Sequence, residues 1–224
     1  MTFSIVARAP AAQMFGVAIA SSSPAVAARC MHARSGAGAV ATQNITDPAL
    51  GLRVLEALGR GAAAPAALIE TLSATPFGEF RQLLAVGGNG PPAIHSGART
   101  LGLAGAASGT DCAAAGNLLA DSSVPGAMVA AFEMAEGHLG ARLLVALRAG
   151  LDRGGEAGPV HSAGLLVVRE VSWPIVDLRV DWTEDDPVRL LHAIWELYAP
   201  QIDDYVRRAL DPAAAPGFGV PGDP

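Results

Sequence analysis

Two short runs open the chain, 3–8 and 15–21, in which apolar and small residues take strand-like positions on either side of Pro10 and Gln13. They predict a β-hairpin turning near Ala11, with Thr2 opposite Ala20 or Ser21. In a strand, Thr2, Ser4 and Val6 share one face and Phe3, Ile5 and Ala7 the other. Gly16, Ala18 and Ala20 leave one face of the second strand nearly bare, open to a ligand, a second backbone or a closely packed helix. A third strand is predicted at 37–42. Asp47-Pro48 then supplies an N-cap and a proline at the first helical position, opening a helix to about residue 60. A second helix follows at 65–73, strands at 80–86 and 93–95 hinged on a glycine turn, and another strand at 113–120. Helices are expected at 125–135 and 139–151. The β-branched runs 161–170 and 173–182 read as paired strands, with Asp177, Arg179 and Asp181 on one face as a solvated ion-pair row. Asp186-Pro187 opens a final helix with Val188, Leu191, Ile194, Trp195 and Tyr198 on its inward stripe.

This order of blocks suits an α+β fold of two sheets between helical layers, one domain over 1–210 with a Pro/Ala/Gly-rich tail at 211–224. No apolar run reaches the ~18 residues of a membrane-spanning helix, so no membrane partner is expected. The small residues Ala25-Val26-Ala27 could end a secretory signal. Its start would carry only Arg8, and Pro10 and Gln13 would interrupt its apolar stretch, so the hairpin is preferred.

Composition narrows the chemistry. The net charge is −6, and all 15 basic residues are arginine. A lysine-free chain has no Walker phosphate loop, Schiff-base lysine or lysine base. An acidic balance without basic clusters argues against nucleic acid. Cys30 and Cys112 lack disulfide-framework or metal spacing, and the five histidines stand far apart, so no cofactor or metal is expected. The unpaired cysteines suggest a cytoplasmic protein.

The segments "TFSIVAR", "GVAIAS", "GAVATQ", "AGNLLA", "HSAGLLVV" and "VDLRVD", in that order from Thr2 to about Tyr198, resemble the N-terminal nucleophile hydrolase superfamily. Together they resemble one bacterial branch of it with no assigned biochemical function. The resemblance implies a four-layer α-β-β-α sandwich of two antiparallel sheets between helical layers. It also implies hydrolysis of a small amide or acyl-amino compound. Thr2 would be the nucleophile, with its own amine as base once Met1 is removed. Such an amine, with a reference pKa of about 7.7–8.0, is partly neutral near pH 7. Thr42, Gln43 and Asn44 lie where this fold turns from the third strand into the first helix and would donate to the oxyanion; the alternative is helix capping. Ser21, Asn117 and Ser162 are substrate-side candidates; Asn117 could instead bond a strand edge and Ser162 end a turn. Proteasome-type relatives carry an aspartate and a lysine near the nucleophile, whereas this chain has Ser21-Ser22-Ser23 and no lysine.

Three function classes follow: the amidohydrolase, a catalytically silent binding or assembly protein of the same fold, and a serine hydrolase built on Ser21 to Ser23. The last lacks a G-x-S-x-G motif. Trp195 and Tyr198 suggest an apolar patch and hence a homodimer.

Overall fold

The hairpin forms where the alternation puts it. Strands β1 (Thr2–Ala9) and β2 (Met14–Ser21) run antiparallel across one tight turn at 10–12, closed by Gln13 at φ 51°. Phe3 pairs with Ala20, so Thr2 stands beside Ser21. The coordinates are a computed structural model and describe residues 1–220.

Among the described residues the strands make two antiparallel sheets. β1 and β2 lie at the centre of a six-stranded sheet. They are flanked by β8 (Cys112–Asn117) and β7 (Gly105–Ser108) on one side and by β9 (Ser162–Val168) and β10 (Val176–Val180) on the other. β3 (Met31–Arg34), β4 (Gly38–Asn44), β5 (Arg81–Gly87) and β6 (Ala93–Ser96) form the second sheet in chain order.

Apolar side chains fill three layers. Between the sheets, Val6, Val17 and Ile19 meet Ala39, Ala41, Leu84 and Val86. On the outer face of the four-stranded sheet, Val40, Leu83 and Ala85 pack on α2 (Pro48–Gly59) and α3 (Ala64–Ser73). On the outer face of the six-stranded sheet, Phe3, Ile5, Ala18 and Leu165 pack under α4 (Val124–Met134) and α5 (Leu139–Asp152). α6 (Pro187–Tyr198) joins that layer through Val188, Leu191 and Trp195, while Tyr198 is half-buried and donates to the Ile175 carbonyl at 3.2 Å. Helices therefore cover the outer faces of both sheets.

The bare face of β2 is helix-packed. A Cβ on Gly16 would lie 2.7 Å from Leu143 Cδ1 of α5. Four elements escape the sequence pattern: α1 (Val26–Cys30), β3, β7 and α7 (Ile202–Leu210). α1 is a five-residue helix entered through Ala25 at φ 49°, and β7 is "GAAS", with no β-branched residue. The strand expected at 113–120 stops at Asn117, because Leu118 takes a left-handed φ of 51°. Residues 211–220 carry no helix or strand, yet Arg208 donates to the Pro216 and Gly217 carbonyls and lies over the Phe218 ring. The rest of the expected tail, 221–224, lies outside the described residues.

Candidate functional site

Strand alternation decides which side chains enter the space between the sheets. Along β1, Val6 is in that layer while Phe3, Ile5 and Ala7 face the helices, so Ser4 and Thr2 also point inward. The same counting brings in Ser21 from β2 beyond Val17 and Ile19, and Gln43 from β4 beyond Ala39 and Ala41. It brings in Gln82 from β5 below Leu84, and Asn117 from β8 beyond Ala113 and Ala115. Ser162 of β9 pairs with Ser21 across the ladder. The middle of the inter-sheet layer is apolar, and one end of it is polar and buried.

That polar end divides into two linked groups. In the first, Gln43 ties the sheets together. Its Oε1 accepts from Ser4 Oγ at 2.7 Å, and its Nε2 donates to Gln82 Oε1 at 2.7 Å and to the Ala115 carbonyl at 3.1 Å. Gln82 donates to Ser96 Oγ at 2.9 Å and to the Gly116 carbonyl at 3.1 Å, and it accepts from Asn117 Nδ2 at 3.2 Å. Both glutamine side chains are fully hydrogen-bonded, which is what burial demands of them.

The second group surrounds Thr2, which pairs with Asn117 across the ladder and so joins the two. Thr2 Oγ1 is 3.3 Å from Ser21 Oγ, and both hydroxyls donate to the Met1 carbonyl oxygen. Ser21 Oγ also accepts from Ser23 N–H at 3.0 Å. Ser162 Oγ donates to the Ser23 carbonyl at 2.6 Å and accepts from Val26 N–H at 3.3 Å, ordering the entry to α1.

Glu156, from the glycine-rich loop after α5, closes this group. It is 3% exposed, and its carboxylate accepts from Ser22 N–H at 3.0 and 3.2 Å. Burial pushes its pKa up to about 7, against the opposing pull of Ser22, the Met1 ammonium and His161. His161 stacks on Trp182 at 4.2 Å, and its Nδ1 lies 2.8 Å from the Thr183 carbonyl. Glu156 and Gln82 were not among the sequence candidates. A lone glutamine in "RQLLAV" was a usable signal for the second, whereas "GGEAGPV" has no periodicity to place the first.

Thr42 and Asn44 stand apart from both groups. Thr42 Oγ1 donates to the Asp47 carbonyl at 3.2 Å. Asn44, at φ 71°, donates to the Phe80 carbonyl at 2.6 Å and accepts from Leu101 N–H at 3.1 Å. Neither caps α2, whose N-cap is Asp47 accepting from Ala49 N–H. Asp177 and Arg179 form an exposed ion pair on edge strand β10. Both cysteines are free and buried; burial raises the Cys30 thiol and pushes Cys112 up to about 11, which leaves both poor nucleophiles.

A cavity of about 400 Å³, lined by Arg8, Met14, Phe15 and Glu170, lies at the other end of the hairpin from Thr2. Thr2 itself is 6% exposed, with Met1 covering it. Among the described residues no three His, Cys, Asp or Glu side chains converge to hold a metal ion, and no helix is long and apolar enough to cross a membrane.

A family model described as a family of unknown function, DUF1028, matches residues 2–191. Among solved structures, the crystal structure of protein SPO2555 from Silicibacter pomeroyi, also described as DUF1028, is similar with a TM-score of 0.82. It is 30% identical, over 91% of this chain and 94% of that one. No curated protein matches.

Proposed function

The chain belongs to DUF1028, a family of unknown function, and from that premise we propose that it is an N-terminal-nucleophile amidohydrolase cleaving a small amide or acyl-amino compound. The observation that carries this reading is the polar end of the inter-sheet layer. Six strands contribute buried polar side chains there, and Thr2 begins the first of them.

The chemistry follows from Thr2 once Met1 is removed. Its free amine takes the hydroxyl proton, and Oγ1 adds to the substrate's carbonyl carbon. The C–N bond then breaks and the proton passes to the leaving amine. Water hydrolyses the resulting ester and restores Thr2. Ser21, whose hydroxyl donates to the Met1 carbonyl, would donate to the developing oxyanion. Thr42 and Asn44 have committed side chains, so their part would be played by backbone N–H groups. Gln43 and Asn117 hold the walls of the site, and Ser162 the turn beside it. No cofactor enters this scheme.

The intact mass of natively expressed protein tests the first step and should correspond to a start at Thr2. Thr2→Ala should abolish turnover of a panel of small amides with the fold intact, while Thr2→Ser should retain part of it. Full retention of Met1, or Thr2→Ala turnover at the wild-type rate, would overturn the mechanism. A free Thr2 amine with no hydrolysis would favour the silent binding or assembly protein.

A further inference from the structure

Thr2 begins β1 between the ends of two other strands. Ser21 ends β2 on one side of it, and Asn117 ends β8 on the other. Glu156 ties these two ends together. Its loop is fastened just past β8, where Ala157 N–H donates to the Leu118 carbonyl at 2.9 Å and Ala120 N–H to the Gly155 carbonyl at 3.1 Å. Leu119 and Glu156 stand opposite each other there in an antiparallel bridge. Gly154 and Gly155, at φ 121° and 57°, turn the chain into that place directly from the end of α5. From this anchor the carboxylate reaches Ser22 N–H, just past the end of β2, with both of its oxygens.

The turn that Glu156 meets carries the hydroxyl beside Thr2. Ser21 Oγ accepts from Ser23 N–H at 3.0 Å, a local side-chain bond to the second residue onward that fixes the serine rotamer. His161 N–H donates to the Ser21 carbonyl at 2.9 Å, and Ser162 Oγ donates to the Ser23 carbonyl at 2.6 Å. The peptide between Ser21 and Ser22 is held at its N–H by Glu156. An N–H shielded from water needs an acceptor. Without the carboxylate that peptide turns to find one, and the Ser21 hydroxyl moves with it.

We infer that Glu156 is a positioning residue: by holding Ser22 N–H from the β8 side, it keeps the Ser21 hydroxyl 3.3 Å from Thr2 Oγ1. Its kinetic consequence rests on the Thr2 chemistry proposed above, in which Ser21 donates to the oxyanion. Glu156 acts through an acceptor oxygen at the right reach, and its charge is not what the turn requires.

The test uses full-length protein whose mass confirms a Thr2 start, assayed on acetanilide and leucine anilide. Glu156→Gln keeps an acceptor oxygen at the same reach, whereas Glu156→Asp keeps the charge and draws the oxygens back by one methylene. Glu156→Asp should lower kcat by ~10²-fold, the scale of a reacting group displaced by about 1 Å, with KM little changed. Glu156→Gln should stay within about threefold of the wild-type kcat. In a Ser21→Ala background Glu156→Asp should lower kcat no further, because the hydroxyl it positions is gone. Wild-type kcat in Glu156→Asp, an equal loss in Glu156→Gln, or an undiminished loss in the Ser21→Ala background would each overturn the inference and leave the Thr2 reading standing. If neither anilide is cleaved, the Ser21 Hα–Hβ couplings measured by NMR decide. A single Ser21 rotamer in the wild type and Glu156→Gln that becomes averaged in Glu156→Asp upholds the positioning while the Thr2 reading falls. Any other pattern overturns both.

Discussion

Glu156 is a carboxyl held where it prefers to be neutral. Its folded pKa of about 7 lies above its ordinary 4.5, so between those values the folded chain binds more protons than the unfolded one. The stability contributed by the neutral form is complete below about pH 4.5 and is lost as the pH rises to about 7, on the order of 3 kcal/mol across the window. Glu156→Gln keeps an acceptor for Ser22 N–H and removes the titration. Urea midpoints from pH 4.5 to 7.5 should therefore fall for the wild type relative to the variant as pH rises; parallel curves would refute the assignment. Residues of this kind were the least legible in the sequence. Thr2, Ser21, Gln43, Asn117 and Ser162 were reached through the resemblance and the order of its motifs, with Gln43 expected in the turn after the third strand rather than in it. Glu156 sits in a loop, where no period says which way a side chain points. Asn44 was reached in the same way, yet its amide spans the carbonyl of Phe80 and the N–H of Leu101. Nothing local to "TQNIT" announces those distant partners.

Helices were the most legible elements, because their start signals act within a few residues. Asp47 caps α2 through Ala49 N–H, and Asp186 caps α6 through Val188 and Arg189 N–H, each followed by proline. Asp186 also accepts from Arg148 of α5 at 2.5 Å, so one side chain fixes a helix start and its packing partner. Asp186→Ala should cost ~1–2 kcal/mol, read as a Tm lower by ~2–4 °C per kcal/mol. Asp47→Ala, with one capped N–H and no ion pair, should cost less; an equal or larger loss would count against this account. Short elements defeated the same logic. β3 and β7 are four residues each, and pairing with longer neighbours decides their conformation more than propensity does. α7 shows the converse, since its turn-by-turn pattern buries Ile202 and Val206 after a short turn at 199–201, where the N-cap Gln201 makes no side-chain bond to mark a start.

At the scale of the whole molecule the two sheets meet through an apolar slab with one polar end, and Gln43 spans that end. Gln43→Leu would leave Ser4, Gln82 and the Ala115 carbonyl each short of a partner, at roughly 1–3 kcal/mol per group left unsatisfied. The denaturation midpoint should fall with the slope unchanged. The Gln43→Leu/Gln82→Leu double variant should lose less than the sum of the two single losses, because the Gln43–Gln82 bond is broken in each of them; strictly additive losses would show that the pair does not couple the sheets. The sequence by itself determined most of the strand and helix blocks, the Asp47 and Asp186 caps, the Val188, Leu191 and Trp195 stripe of α6 and the place of Thr2 beside Ser21 at the end of β2. All of these depend on neighbours within a hairpin or a few helical turns. Tertiary structure alone decided that α5 rather than a ligand covers Gly16, and that Glu156 reaches Ser22. It also decided that polar residues from six strands, from Thr2 to Ser162, share one end of one layer. Such convergence depends on how strands far apart in the chain are ordered and registered against one another, and side-chain alternation within a strand says only which face a residue takes.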